Sequence, residues 1–124
     1  MLIIKETADK GAAQNFLDSL GISYSIAEDI VMICEENGIV LGVSTLRLCG
    51  AKVYIDLLVT VEEDMSLKLG LAKSLMNLAD LRGIKLLYGK NEALKNIYTA
   101  LRFKENEGEY CVSLEGYFTA GHSE

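Results

Sequence analysis

The sequence predicts a mixed α/β domain, a mostly antiparallel sheet flanked by helices, and three observations carry that reading. Three β-rich runs, Ile30 to Glu36, Gly38 to Leu48 and Lys52 to Val61, are separated only by Glu36-Asn37-Gly38 and Cys49-Gly50-Ala51, which read as tight hairpin turns. Two later stretches, around Leu71 to Ala79 and Asn91 to Leu101, place apolar residues at helical spacing. The chain has 124 residues, the size of one domain and too short for a two-domain enzyme, and with 50% of them hydrophobic and 24% charged it has apolar material enough to bury a core, which excludes a disordered chain.

Taken in order, Leu2 to Glu6 reads as a first strand. Met1-Leu2-Ile3-Ile4 runs into Lys5-Glu6 with no basic leader or small-residue cleavage site, so no signal peptide is expected there. Asp9 to Leu20 is a helix with Ala12, Ala13, Phe16, Leu17 and Leu20 on one face, closed by Gly21. The three β-rich runs then form an antiparallel meander. Leu71, Leu75 and Leu78 with Ala72, Met76 and Ala79 make a wide apolar helix face ending at Arg82-Gly83. Ile84 to Tyr88 is a short buried strand, Asn91 to Leu101 a helix with Leu94, Ile97, Tyr98 and Leu101 on one stripe, and Glu109 to Leu114 a final strand. A helix joining Val61 to Ile84 is a crossover, so those two strands are expected to lie parallel inside the otherwise antiparallel sheet. Residues 1–118 are expected to form a single domain and 119–124 a tail.

Composition excludes several functions. The apolar runs, such as Ile30 to Cys34, fall far short of the ~20 residues a membrane span needs, so no membrane partner is expected. Cys34, Cys49 and Cys111 are odd in number and far apart, which fits reduced thiols acting as small core residues in a cytoplasmic chain. The only histidine, His122, lies in the tail, so neither a zinc site nor a histidine-based triad is expected. A net charge of −6 argues against nucleic acid. That average conceals a pattern: residues 1–66 carry −7, residues 67–104 carry +6 and the last twenty carry −5. A basic middle in an acidic chain suggests a small anion held there, or else solvated helix faces.

Chemistry is expected at the turn after Val61, where Leu67-Lys68-Leu69-Gly70-Leu71-Ala72 opens the crossover helix. Glycine lets the backbone approach a ligand, the small Ala72 keeps the approach open, and the N–H groups of a first helical turn point at one spot. The arrangement reads as a pyrophosphate cradle with Lys68 beside it, or simply as a helix start.

Downstream, Asn91-Glu92-Ala93-Leu94-Lys95-Asn96-Ile97-Tyr98-Thr99-Ala100-Leu101-Arg102-Phe103 resembles the Asn-x-x-Ala-x-x-Leu-Tyr-x-x-Leu-Gly-Phe segment of the GNAT N-acetyltransferase superfamily. The seven-residue step from Asn91 to Tyr98 and the five-residue step from Tyr98 to Phe103 both match. Leu67 to Ala72 looks like that family's Arg/Gln-x-x-Gly-x-Gly/Ala loop, and Gly42 sits where members often write Val-Gly in the third strand. Leu67 stands in place of Arg or Gln, and Arg102 in place of the Gly before Phe103. The resemblance covers roughly residues 28 to 114 and implies a compact GNAT-like acyl-CoA N-acyltransferase fold.

It also implies roles. Val59 and Val61 would offer backbone groups to the pantetheine arm and the thioester carbonyl. A bulge in their strand would aim such N–H groups outward, where they could stabilise an oxyanion; without one, both are ordinary core residues. The phosphates would lie on the backbone from Leu67 through Lys68, Leu69, Gly70 and Leu71 to Ala72, with Lys73 nearby. Asn91 would contact the cofactor or act as an N-cap. Tyr98 would donate a proton to the departing thiolate, or be a buried aromatic on its helix stripe. Asp56, inside an otherwise apolar strand, is the leading base, with Glu35, Glu36, Glu62 and Glu63 as alternatives.

The function expected on this resemblance is transfer of acetyl from acetyl-CoA, as co-substrate, to a primary amine by direct attack in a ternary complex. The acceptor would be a small-molecule or peptide amine and the protein a monomer or homodimer. The alternative is a non-catalytic module that binds coenzyme A or acetyl-CoA and regulates a partner protein.

Overall fold

The computed structural model describes residues 1–118, so the tail call, His122 included, lies outside the described residues. Its elements are β1 (Leu2–Glu6), α1 (Lys10–Ser19), β2 (Ile30–Glu36), β3 (Ile39–Cys49), β4 (Lys52–Thr60), α2 (Met65–Leu81), β5 (Leu86–Gly89), α3 (Lys95–Ala100), β6 (Lys104–Asn106) and β7 (Glu109–Ser113). A 3-10 turn, Glu92–Leu94, precedes α3. The strands form one seven-stranded sheet in the order β1-β2-β3-β4-β5-β7-β6. Every pairing is antiparallel except β4 with β5, the pair joined by the crossover helix, as its connection requires.

The turns are set by residues that accept positive φ. Asn37 (φ 54) and Gly38 (φ 82) close the β2–β3 hairpin, and Glu107 (φ 54) with Gly108 (φ 84) closes a β6–β7 hairpin absent from the sequence reading. β6 is three exposed polar residues with no apolar alternation, so only the Glu107-Gly108 pair signals it.

The starts of α1 and α2 are capped by side chains. Asp9 accepts the Ala12 N–H at 3.3 Å to begin α1, and Asp64 accepts the Leu67 N–H at 3.1 Å to begin α2. The expected Asn91–Leu101 helix divides at Leu94, whose carbonyl side continues into α3 without a side-chain cap.

Two cores result. α1 lays Ala13 and Leu17 on Val31, Ile33, Val43 and Leu57 of one sheet face. α2 and α3 bury Leu71, Leu75, Met76, Ile97 and Tyr98 against Met32, Leu46, Ile55 and Leu58 on the other. Gly42 permits the close approach of α2: a Cβ there would stand 2.8 Å from Leu71 Cδ1 and 3.2 Å from Val59 O.

The register of β3 on β4 carries the feature that shapes the site. Thr45 faces Leu57 while Arg47 faces Tyr54, so Leu46 stands opposite two residues, Ile55 and Asp56. That extra residue is a β-bulge in β4. It explains why Ile55 and Leu58, three positions apart, both reach the α2/α3 core.

Candidate active site

β4 and β5 share one paired position, Tyr54 opposite Tyr88. Past it the strands diverge, and the backbone edge of β4 must find other partners. Two side chains seven residues apart supply them. The Tyr98 hydroxyl donates to Ile55 O at 2.6 Å, and the Asn91 side-chain amide donates to Asp56 O at 2.7 Å. Asn91 also accepts the Ala93 N–H at 3.0 Å, so it is both cap and clamp. The Asn91-to-Tyr98 spacing thus has a local reason, because both residues hold the bulge.

Asp56 lies at the same point. Its Oδ1 accepts the Lys90 N–H at 2.8 Å and stands 3.3 Å from the Tyr98 hydroxyl. The structure therefore brings Asn91, Tyr98 and Asp56 together at the divergence. Tyr98 is 1% exposed, ringed by Phe103 and Tyr110 at centroid distances of 5.1 and 4.8 Å. Gly89 makes its place: a Cβ there would sit 2.2 Å from Tyr98 Cζ. Burial first, and the charge of Asp56 second, push the Tyr98 phenol well above its ordinary value of 10.0. Its proton is shared with Ile55 O, and it is a weaker acid than a free phenol.

The backbone expectation for Val59 and Val61 needs correction by one residue. Val61 donates its N–H to Leu41 O at 2.8 Å. Antiparallel ladders alternate every two residues, so the backbone groups of Val59 likewise point into β3. The N–H groups of Leu58 and Thr60 point the other way, to the edge that β5 has left. The bulge expected of this strand is present, but at Ile55 and Asp56.

The cradle expectation also shifts. α2 starts at Met65, so Leu67 gives its N–H to Asp64 Oδ1, Lys68 gives its own to Asp64 O at 3.0 Å, and Leu69, Gly70, Leu71 and Ala72 lie within the helical ladder. The donors that intrahelical bonding leaves over are those of Met65 and Ser66. Asp64 places a carboxylate beside them. Lys68 Nζ is 2.5 Å from Glu63 Oε2, while Lys73 is exposed. A cavity of about 390 Å³ opens here, walled by Leu2, Ile4, Leu41 and Leu67 and rimmed by Glu62 and Asp64. A Cβ on Gly70 would meet only Ile4 Cδ1, at 3.4 Å, so the glycine borders open space.

Pairing divides the basic middle of the chain. Lys68, Arg82 and Lys85 are neutralised by Glu63, Glu6 and Asp80. Of the alternative bases, Glu35 pairs with Lys5 at 3.2 Å and Glu36 faces the N-terminal ammonium at 4.0 Å. Glu62 and Glu63 precede α2, and none of the four bonds to Tyr98. Cys34 is buried, Cys111 half-buried and Cys49 exposed, all free. Among the described residues no cluster of His, Cys, Asp and Glu could hold a metal ion, and no helix is long and apolar enough to cross a membrane.

No family model and no curated protein matches the sequence. Solved structures do. An N-acetyltransferase from Staphylococcus aureus Mu50 aligns with a TM-score of 0.73 at 17% identity, over 93% of this chain and 99% of that one. The ribosomal-protein-S18-alanine N-acetyltransferase of Escherichia coli aligns with a TM-score of 0.68 at 14% identity, over 90% and 91%. The yncA protein of Salmonella typhimurium, solved with its cofactor acetyl-CoA, aligns with a TM-score of 0.67 at 15% identity, over 92% and 94%. Identities this low speak for architecture, and with the crossover between β4 and β5 and the bulge in β4 they lead to one conclusion: the chain has the fold of the GNAT N-acetyltransferases.

Proposed function

We propose that this protein is an N-acetyltransferase that moves acetyl from acetyl-CoA to a primary amine, and the observation that carries the reading is the polar centre at the β4/β5 divergence. A bulged strand with an open backbone edge, a carboxylate and a buried hydroxyl meet there, on a fold one of whose solved examples contains acetyl-CoA. The open edge fits a pantetheine arm: Leu58 and Thr60 present N–H and C=O groups to an amide-bearing chain lying where β5 would have continued. At the other end, Met65 and Ser66 would offer N–H groups to the diphosphate, with Lys68 and Lys73 nearby. Asp64 opposes that contact, so cofactor binding is expected to be salt-sensitive and modest.

When bound, acetyl-CoA supplies an activated thioester carbonyl. In the reaction the amine nitrogen bonds to the acetyl carbon, the carbon–sulfur bond breaks, the nitrogen loses one proton and the sulfur gains one. Asp56 takes the amine's proton directly or through water. The bulge turns β4 backbone N–H groups toward the developing oxyanion. Tyr98 is assigned as a positioning residue, because a phenol above 10 protonates a thiolate of reference pKa about 8.5 only uphill.

The commitment of the Tyr98 hydroxyl to Ile55 O is also what favours the second reading, a module that binds coenzyme A or acetyl-CoA without turnover and regulates a partner. Calorimetry with acetyl-CoA at two salt concentrations, beside an assay of free thiol release over a panel of amines, separates the readings. Binding with thiol release supports the enzyme, binding alone supports the module, and no heat at millimolar ligand removes both.

A further inference from the structure

We propose that the acceptor is an amine carrying a nearby carboxylate, an α-amino acid in preference to a polyamine or a carboxamide; this rests on the acetyltransferase reading. Val53 and Ile55 point into the α2/α3 core, so Lys52 and Tyr54 point to the opposite face. On that face α1 packs against β2 and β3 and reaches β4 at Leu57. Tyr54 and Tyr88 form a floor there, their centroids 5.8 Å apart. Lys52 Nζ lies 4.7 Å from the centre of the Tyr88 ring and Lys90 Nζ 4.8 Å from that of Tyr54. One carboxylate, Glu109, is held there by Lys52 at 2.9 Å and by the Tyr54 hydroxyl at 2.7 Å, while Lys90 acts on it only through space. Lys90 has no ion-pair partner among the described residues, so the floor holds one positive charge in excess.

The same Lys90 is tied by its backbone N–H to Asp56. The excess cation and the proposed base therefore belong to bonded neighbours: the Lys90 backbone holds Asp56 while its ammonium lies over Tyr54. Elsewhere on this face the charges cancel, since Arg47 is held by the buried Asp29 at 3.0 Å. A polyamine would meet two ammonium groups. An α-amino acid matches the polarity, its amine toward Asp56 and its carboxylate toward Lys90.

The test compares kcat/KM for L-amino acids with that for their carboxamides, in the full chain with saturating acetyl-CoA, and measures binding of N-acetyl-L-leucine and N-acetyl-L-leucinamide by calorimetry with coenzyme A present. The wild type is expected to favour the acids in both measurements. Lys90→Met should cut the acid-to-amide ratio about tenfold, as for loss of one charge-assisted contact, and Lys90→Arg should keep it. An acid-to-amide ratio of one or below in the wild type, or one that Lys90→Met leaves unchanged, overturns the assignment. If acids and amides both fail while another amine of the panel releases thiol, this assignment falls alone; if no amine releases thiol, the acetyltransferase reading falls and this inference with it.

Discussion

Replacing Tyr98 by Phe removes one oxygen and keeps the ring that Gly89, Phe103 and Tyr110 enclose. The lost hydroxyl is the donor to Ile55 O, a carbonyl at the bulge that β5 does not reach. Leaving a buried acceptor without its donor costs about 1–3 kcal/mol, whereas the packing loss is small. For a chain of this length each kcal/mol lowers the melting temperature by roughly 4 °C, so a fall of about 4–12 °C is expected. Urea titration followed by circular dichroism should show a lower midpoint at unchanged slope. Turnover should fall no more than about tenfold, because the hydroxyl's proton is held by the carbonyl and not by the leaving group. A stability change below about 0.3 kcal/mol would refute the clamp. A 100- to 10,000-fold loss of turnover with stability intact, the range for a lost general acid, would restore Tyr98 to the acid role.

At the start of α2, Asp64→Asn keeps a capping oxygen for Leu67 and removes the charge, so coenzyme A should bind several-fold tighter by calorimetry; Asp64→Ala should cost about 1 kcal/mol of stability in a urea titration. Arg102 holds φ 71, a left-handed conformation that costs a non-glycine residue roughly 1 kcal/mol, so Arg102→Gly should raise stability by about that amount, measured the same way. Hydrogen bonds from Tyr54 first and Lys52 second hold the Glu109 carboxyl below its ordinary 4.5. A depressed carboxylate adds stability above the unfolded value and loses it as pH falls through the folded one. Melting temperatures between neutral pH and acid should therefore drop more steeply in the wild type than in Glu109→Gln.

Local patterns were enough for most elements. The Asn37-Gly38 pair dictates a hairpin because few residues accept its positive φ, and Leu71, Ala72, Leu75, Met76 and Ala79 recur at the helical period because one face of α2 must leave water. The parallel pairing of β4 with β5 followed from a helix lying between them, and the Asn91-to-Tyr98 spacing marked the residues that meet at the divergence. Other features belong to no single segment. The bulge at Ile55 and Asp56 exists only against the register of β3, and that register decides that Leu58 and Thr60, not Val59 and Val61, face the open edge. The start of α2 depended on whether Asp64 would cap it, a competition between side chain and backbone that apolar periodicity does not report. Charge behaved likewise: the basic run from Lys68 to Lys104 is spread over several elements, and which of its cations are paired is settled by the acids that β1, the α2 approach and α2 itself bring beside them. Sequence spacing acts along the chain, whereas register, burial and pairing act across it, and at this site the chemistry lies across the chain.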